Sequence, residues 1–217
     1  MIHPDLDEWL PAINSFMKEV DLGDVEACWE KYALDELPVK RLGDSIIVAP
    51  ILAPQFCEVL LDYSRDIPFS PNLEEEPDYR INEWVLGPSD PYFLACLDAA
   101  AKAIWPLFNL MYGKAPNSFS SVQFARYGAP GPVGTGWHHD ESSEATCTVS
   151  LNPGQFAGGG TALRPAGAFS RAVCVPPLAQ GWGLLFNGRT TLHRGLPVTD
   201  GVRQLLVFWM NHIKEAK

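Results

Sequence analysis

The chain has 217 residues, of which 47% are apolar and 19% charged. That balance excludes a disordered polypeptide and describes a chain long enough to bury a sizeable core. Acidic residues outnumber basic ones by 26 to 16, a net charge of −10, so neither a nucleic-acid backbone nor an anionic membrane surface is an expected partner.

The N-terminus lacks the basic start and apolar run of a secretion signal, and no apolar stretch reads as long as a membrane span. A cytoplasmic protein is therefore expected. Leu6, Trp9, Leu10, Ile13, Phe16, Met17 and Val20 recur at three- and four-residue steps, which predicts a helix with one apolar stripe. A second helix is expected over residues 24–33, a strand over 45–50, and a helix over 53–67 with Phe56, Val59, Leu60 and Tyr63 on one face. Residues 68–80 are proline-rich and acidic and read as a loop, with Glu74, Glu75 and Glu76 at a solvated edge. Alternation over 81–86 predicts a strand, and 91–113 a long helix.

The texture changes after residue 117. Short β-like runs punctuated by Gly, Pro or Asn fall at 121–127, 145–152, 160–165, 171–177, 181–188, 190–195 and 202–211. Strands at this spacing predict a sandwich or barrel. The whole reads as one α+β domain over 1–217, in which a mostly helical part (1–117) supports a β-rich part (118–212). Cys28, Cys57, Cys96, Cys147 and Cys174 are odd in number, widely spaced and without a C-x-x-C pair. They read as reduced thiols rather than a disulfide framework or a zinc site.

Three of the five histidines lie in two short, turn-rich stretches, Gly136-Trp137-His138-His139-Asp140 and Leu192-His193-Arg194-Gly195. His138 and Asp140 are two residues apart, so on an extended chain both point to one face. His193, from a later strand, completes a set of two imidazoles and one carboxylate. That donor set holds Fe(II) and leaves three coordination positions for other ligands. A 2-oxoacid takes two of these and O2 the third. The far carboxylate of 2-oxoglutarate then needs a cation, and Arg203, ten residues after His193, offers a planar fork. Each piece alone is weak, since H-x-D triplets, lone histidines and surface arginines are common. Their combination in a β-rich tail is not.

Residues 119–211 contain VQFARY, WHHDESSEATCTVSLN, FAGGGTALRP and GWGLLFNGRTTLHRGLPVTDGVRQLLVFW, in that order. This stretch resembles the iron- and 2-oxoglutarate-dependent dioxygenases of the prolyl/lysyl hydroxylase superfamily, and most of all the catalytic domain of procollagen lysyl hydroxylases. The resemblance implies a double-stranded β-helix (jelly-roll) barrel with supporting N-terminal helices. It implies His138, Asp140 and His193 as iron ligands, with His139 between them able to touch substrate, and Arg203 as the partner of the 2-oxoglutarate C5 carboxylate. Tyr127 matches a tyrosine that hydrogen-bonds the cosubstrate, with a half-buried strand position as the plain alternative. Leu163 and Trp209 match pocket-wall positions that core packing explains equally well. Gly195 allows close backbone approach to the cosubstrate. The implied reaction hydroxylates an unactivated C–H bond with release of succinate and CO2, ascorbate serving as reductant.

A dry barrel lined by Phe124, Leu163, Leu185 and Phe208 would suit such chemistry, though these side chains can also be plain core. Of residues 148–151, either Thr148 with Ser150 or Val149 with Leu151 faces the pocket. Gly158-Gly159-Gly160 reads as a tight turn rather than a dinucleotide fingerprint. The expected substrate is a side chain of a protein or peptide, and the net negative charge favours a cationic one such as lysine. A free amino acid or other small molecule is the alternative. A catalytically silent binding module and a zinc hydrolase or cupin-like isomerase are the other classes.

Overall fold

Proline starts four of the six helices in the computed structural model of the chain, which describes residues 1–20, 24–43, 45–73, 75–78, 80–166 and 171–213. They are α1 (Pro4–Asp7), α2 (Leu10–Glu19), α4 (Pro54–Ser64) and α6 (Trp105–Tyr112), where the missing N–H is no loss. The N-terminal stripe is therefore two helices, not one. Pro11 cannot donate to the Asp7 carbonyl and restarts the helix instead. Asp24 caps α3 (Val25–Lys31) by accepting from the backbone N–H groups of Glu26 and Ala27. The long helix expected over 91–113 is α5 (Phe93–Ala99), one π-helical turn (Ala100–Ile104) and α6, closed by Gly113 in the left-handed region. The π turn adjoins Pro106, which absorbs the break in the hydrogen-bond ladder.

The stretch Phe93–Tyr112 is long and apolar enough, by length and composition, to cross a membrane, contrary to the expectation from the sequence. Its apolarity has a packing reason. Ala99, Ala103, Ile104, Leu107 and Phe108 are fully or almost fully buried in the main core.

The strands are β1 (Lys40–Gly43), β2 (Ile46–Pro50), β3 (Ser70–Pro71), β4 (Asn82–Val85), β5 (Ser118–Tyr127), β6 (Ala145–Ser150), β7 (Phe156–Gly158), β8 (Thr161–Arg164), β9 (Val173–Val175), β10 (Trp182–Phe186), β11 (Leu192–Gly195), β12 (Val198–Gly201) and β13 (Arg203–Asn211). Of these, β1, β3, β7 and β12 are too short or too polar to have been read from sequence. All pairings are antiparallel. A large sheet runs β1-β2-β10-β6-β13-β5-β4-β3, and smaller sheets run β11-β8-β9 and β12-β7. This is an α+β fold with a double-stranded β-helix.

Alternation along the strands divides the two faces of the large sheet. Phe124, Cys147, Val149, Leu185, Leu206 and Phe208 point to the helices and share one buried cluster with Leu6, Ile13, Leu60 and Phe108. Their neighbours Tyr127, Thr146, Thr148, Phe186, Leu205 and Val207 line a cleft on the opposite face.

Candidate active site

The cleft has a volume of about 520 Å³, and His138, Asp140 and His193 lie on its wall. Main-chain pairing positions the two histidines. His138 and His193 form an isolated antiparallel bridge in which each backbone N–H donates to the other's carbonyl at 2.9 Å. The triplet is thus extended at His138 without belonging to a regular strand. The ligand-competent atoms of the three side chains all lie within 4.8 Å of one another.

Their hydrogen bonds settle which atoms face inward. Nδ1 of His138 lies 3.0 Å from the Gly136 carbonyl, and Nδ1 of His193 lies 3.0 Å from the Thr191 carbonyl. A carbonyl only accepts, so each Nδ1 carries a proton, and Nε2 is the ring atom left to bind a metal. Those Nε2 atoms lie 3.9 and 3.5 Å from Asp140 Oδ1. Burial, with the neighbouring His193 ring, holds His138 below its ordinary pKa and keeps it neutral. Burial acts to raise the Asp140 carboxyl, but His193, Thr146 and His138 outweigh it, and the group stays ionised below the usual carboxylate range. Two imidazoles tied back through Nδ1 and one carboxylate are a donor set that fits a divalent first-row metal.

Residues that sequence reasoning missed hold Asp140 in place. The Thr146 hydroxyl donates to Asp140 Oδ2 at 2.6 Å and lies 2.9 Å from Ser143 Oγ. The Met210 N–H donates to that same Ser143 oxygen. Gly188 accepts from the Asp140 N–H, and a Cβ there would stand 2.3 Å from Thr146 Oγ1 and 2.7 Å from Asp140 Oδ2. Any side chain at 188 would push into this pair. Oriented support of this kind tunes metal ligands, yet nothing local in the sequence marks it.

Arg203 is 5% exposed, with Nη1 donating to the Gly160 carbonyl at 2.8 Å and Nη2 lying 3.4 Å from Thr161 Oγ1. Burial lowers its proton affinity, but the guanidinium stays charged at neutral pH. No carboxylate among the described residues pairs with it. It lines a small hollow that shares Thr148, Thr161 and Leu205 with the cleft. Gly158, Gly159 and Gly160, all at positive φ, make the expected tight turn. The turn wraps the arginine closely, since a Cβ on Gly159 would meet its Cδ at 3.3 Å.

Tyr127 lines the cleft at 8% exposure, and its hydroxyl makes no hydrogen bond among the described residues. Burial raises its pKa, so it stays protonated. Gly195 lines the cleft beside it. A Cβ there would stand 2.8 Å from Tyr127 Cε1, so the glycine makes room for this ring. Trp209 and His139 also line the cleft. Leu163 does not. It pairs with His193 across β8 and β11 and is buried with Leu184, Phe186 and Val175.

The expected dry wall needs the same correction. Phe124, Leu185 and Phe208 point to the helices, while Ile81, Phe186, Leu192, Leu205, Val207 and Trp209 form the apolar cleft wall. Thr148, rather than Val149, faces the cleft, and Ser150 faces the adjoining hollow. Glu75 lines the cleft half-buried rather than at a solvated edge, while Glu76 borders the cleft and is exposed as expected. Glu74 lies outside the described residues.

No family model matches the sequence, and no curated protein does. Solved structures do. A prolyl-4-hydroxylase from Pseudomonas putida aligns with TM-score 0.60 and 19% identity over 78% of this chain and 94% of its own. A viral collagen prolyl hydroxylase from Paramecium bursaria Chlorella virus-1, solved with 2-oxoglutarate, aligns with TM-score 0.56 and 20% identity over 79% and 98%. A prolyl hydroxylase from Trichoplax adhaerens, in complex with a peptide of hypoxia-inducible factor, aligns with TM-score 0.61 and 13% identity over 95% and 91%. The likeness is one of fold.

Proposed function

We propose that this chain is an Fe(II)- and 2-oxoglutarate-dependent oxygenase that hydroxylates an unactivated C–H bond of a lysyl- or prolyl-type side chain in a protein or peptide. One observation carries the reading: two histidines tied back through Nδ1 and one ionised carboxylate converge on the wall of a 520 Å³ cleft. A buried arginine lacking a carboxylate partner adjoins that cleft, which suits the far carboxylate of 2-oxoglutarate. The fold shared with prolyl hydroxylases agrees with this, and the motif order in residues 119–211 favours the lysyl hydroxylase branch.

His138 Nε2, His193 Nε2 and Asp140 would hold Fe(II). Bound there with 2-oxoglutarate and O2, the metal would supply oxidising power coupled to formation of succinate and CO2, with ascorbate keeping it reduced. The chain's own residues do the rest. The Gly136 and Thr191 carbonyls keep both Nδ1 protons away from the metal side. Thr146 fixes the carboxylate. Arg203 and the Tyr127 hydroxyl anchor the cosubstrate, and Phe186, Leu205 and Val207 exclude water. We also take 1–217 to act as one domain, because Leu6, Ile13 and Leu60 share a buried cluster with Phe124 and Phe208.

The test is succinate release from 2-oxoglutarate under air with Fe(II) and ascorbate, alongside mass spectrometry for a +16 product on peptides and free amino acids. Turnover with a +16 peptide is expected. A +16 product on free amino acids alone moves the substrate to small molecules. No turnover at all, even uncoupled, overturns the oxygenase reading in favour of a binding module.

A further inference from the structure

One side chain outside the cleft grips the turn that follows Asp140. Asn211 is the last residue of β13. Its Nδ2 donates to the Ser142 carbonyl at 2.7 Å and also to Ser120 Oγ, and its Oδ1 accepts from the Glu144 N–H at 3.0 Å. The Glu144 N–H can only donate and the Ser142 carbonyl can only accept, so the amide has a single orientation. Ser120, on β5, donates its own hydroxyl to the same Ser142 carbonyl at 2.8 Å. The grip closes on both sides of Ser143, whose N–H donates back to the Asp140 carbonyl at 3.0 Å. Arg189 also reaches this turn, through the Glu141 carbonyl and the Glu144 carboxylate. That ion pair is partly exposed and contributes little. Among the described residues only Asn211 holds the main chain on both sides of Ser143.

Inside the turn the hydrogen bonds run one way. Thr146 Oγ1 lies 2.6 Å from Asp140 Oδ2, and an ionised carboxylate only accepts, so the threonine proton points there. The contact between Thr146 Oγ1 and Ser143 Oγ, at 2.9 Å, is then donated by the serine. Ser143 in turn accepts from the Met210 N–H at 3.3 Å, a group that can only donate. Met210, Ser143 and Thr146 are fully or almost fully buried, so water does not compete for these bonds and each donor polarises the next. The chain ends on Asp140 Oδ2. Holding that oxygen sets the plane of the carboxylate, and Oδ1 is turned towards Nε2 of His193 and His138, at 3.5 and 3.9 Å.

We propose that Asn211 is a positioning residue for the metal site. By fixing Ser143 it sustains the one-way chain of donors from the Met210 amide to Asp140 Oδ2, and so aims Oδ1 at the ion that both histidines would share. This rests on the triad being a metal site and on nothing about the substrate.

The experiment titrates metal-free protein with Fe(II) against a competing chelator without O2, so that binding is read apart from turnover. Ser143→Ala interrupts the chain and should weaken Fe(II) by about tenfold or more. Asn211→Ala should weaken it by about three- to tenfold, the effect of a lost hydrogen bond. Asn211→Asp keeps the volume and the bond to Glu144 but sets an acceptor against the Ser142 carbonyl, and it should do the same. Val122→Ala, packed against the helices, lowers stability without touching the turn and should leave affinity unchanged. The decisive comparison is made in Thr146→Val, where the chain no longer reaches the carboxylate. There Asn211→Ala should bring no further loss. Full affinity in both Asn211 variants, an equal loss in Val122→Ala, or an undiminished loss on the Thr146→Val background overturns the assignment. Succinate release, measured in parallel, tests the oxygenase reading separately. The expected affinity losses without succinate release keep the positioning role and sink the oxygenase. Succinate release with Fe(II) affinity indifferent to Asn211 does the reverse, and no Fe(II) binding by the unsubstituted protein overturns both.

Discussion

The two faces of the large sheet are built from the same strands and do opposite work. On β6, Cys147 and Val149 are sealed against the helices, while Thr146 orients Asp140 and Thr148 lines the cleft. On β13, Leu206 and Phe208 are fully buried on the helix side, while Arg203 and Val207 face the chemistry. Neighbouring residues in sequence thus answer to different requirements, and stability and activity should separate with a period of two.

Asp140→Ala should break the comparison most severely on the cleft side. Turnover is expected to vanish while the far-ultraviolet circular dichroism spectrum stays native, and residual turnover above background would remove Asp140 from the metal. Phe208→Ala is the counterpart on the helix side. A fully buried phenylalanine lost from a packed core should lower unfolding free energy by about 3–5 kcal/mol in urea titrations. Arg203→Met should raise the 2-oxoglutarate KM by roughly ten- to a hundredfold, with a smaller effect on kcat. An unchanged KM would take the cosubstrate away from Arg203. Thr146→Val removes the donor to Asp140 and should weaken Fe(II) affinity by about 10–100-fold in a competition titration.

The smallest expected effect is one of pH. Glu83 faces Glu75 from the loop, Gln123 from β5 and the side chain of Asn72, and its carboxyl titrates at about 7. Below that pH it is neutral, and above it carries a charge. The Glu83 carboxyl, followed by NMR, should therefore lose its proton as pH increases through about 7, and the cleft should become more negative over that range. A Glu83 carboxyl already ionised at about pH 5 would contradict this.

The candidate ligand residues were legible in the sequence because each sits in a short motif. His138 and Asp140 are two residues apart, and His193 and Arg203 flank the last strands. What was not legible depends on contacts between distant segments. Thr146 reaches Asp140 only because the chain turns between them, and Gly188 matters only for the volume it leaves free beside both. The dry wall was misread by a shift of one residue. Leu185 was chosen where Phe186 faces the cleft, because an all-apolar run carries no alternation to show which residue points where. The loop before β4 read as a solvated edge because nothing local announces that Arg80 and Gly136 fasten it over the cleft. Strands of two to four residues such as β3, β7 and β12 are defined by their partners rather than by their own composition.

The reciprocal main-chain bridge between His138 and His193 has a consequence for the two rings. Backbone amides tie these two segments together, so the fold itself limits how far the imidazoles can drift apart, and disrupting the bridge should cost both their shared aim and the pairing of two distant stretches of chain.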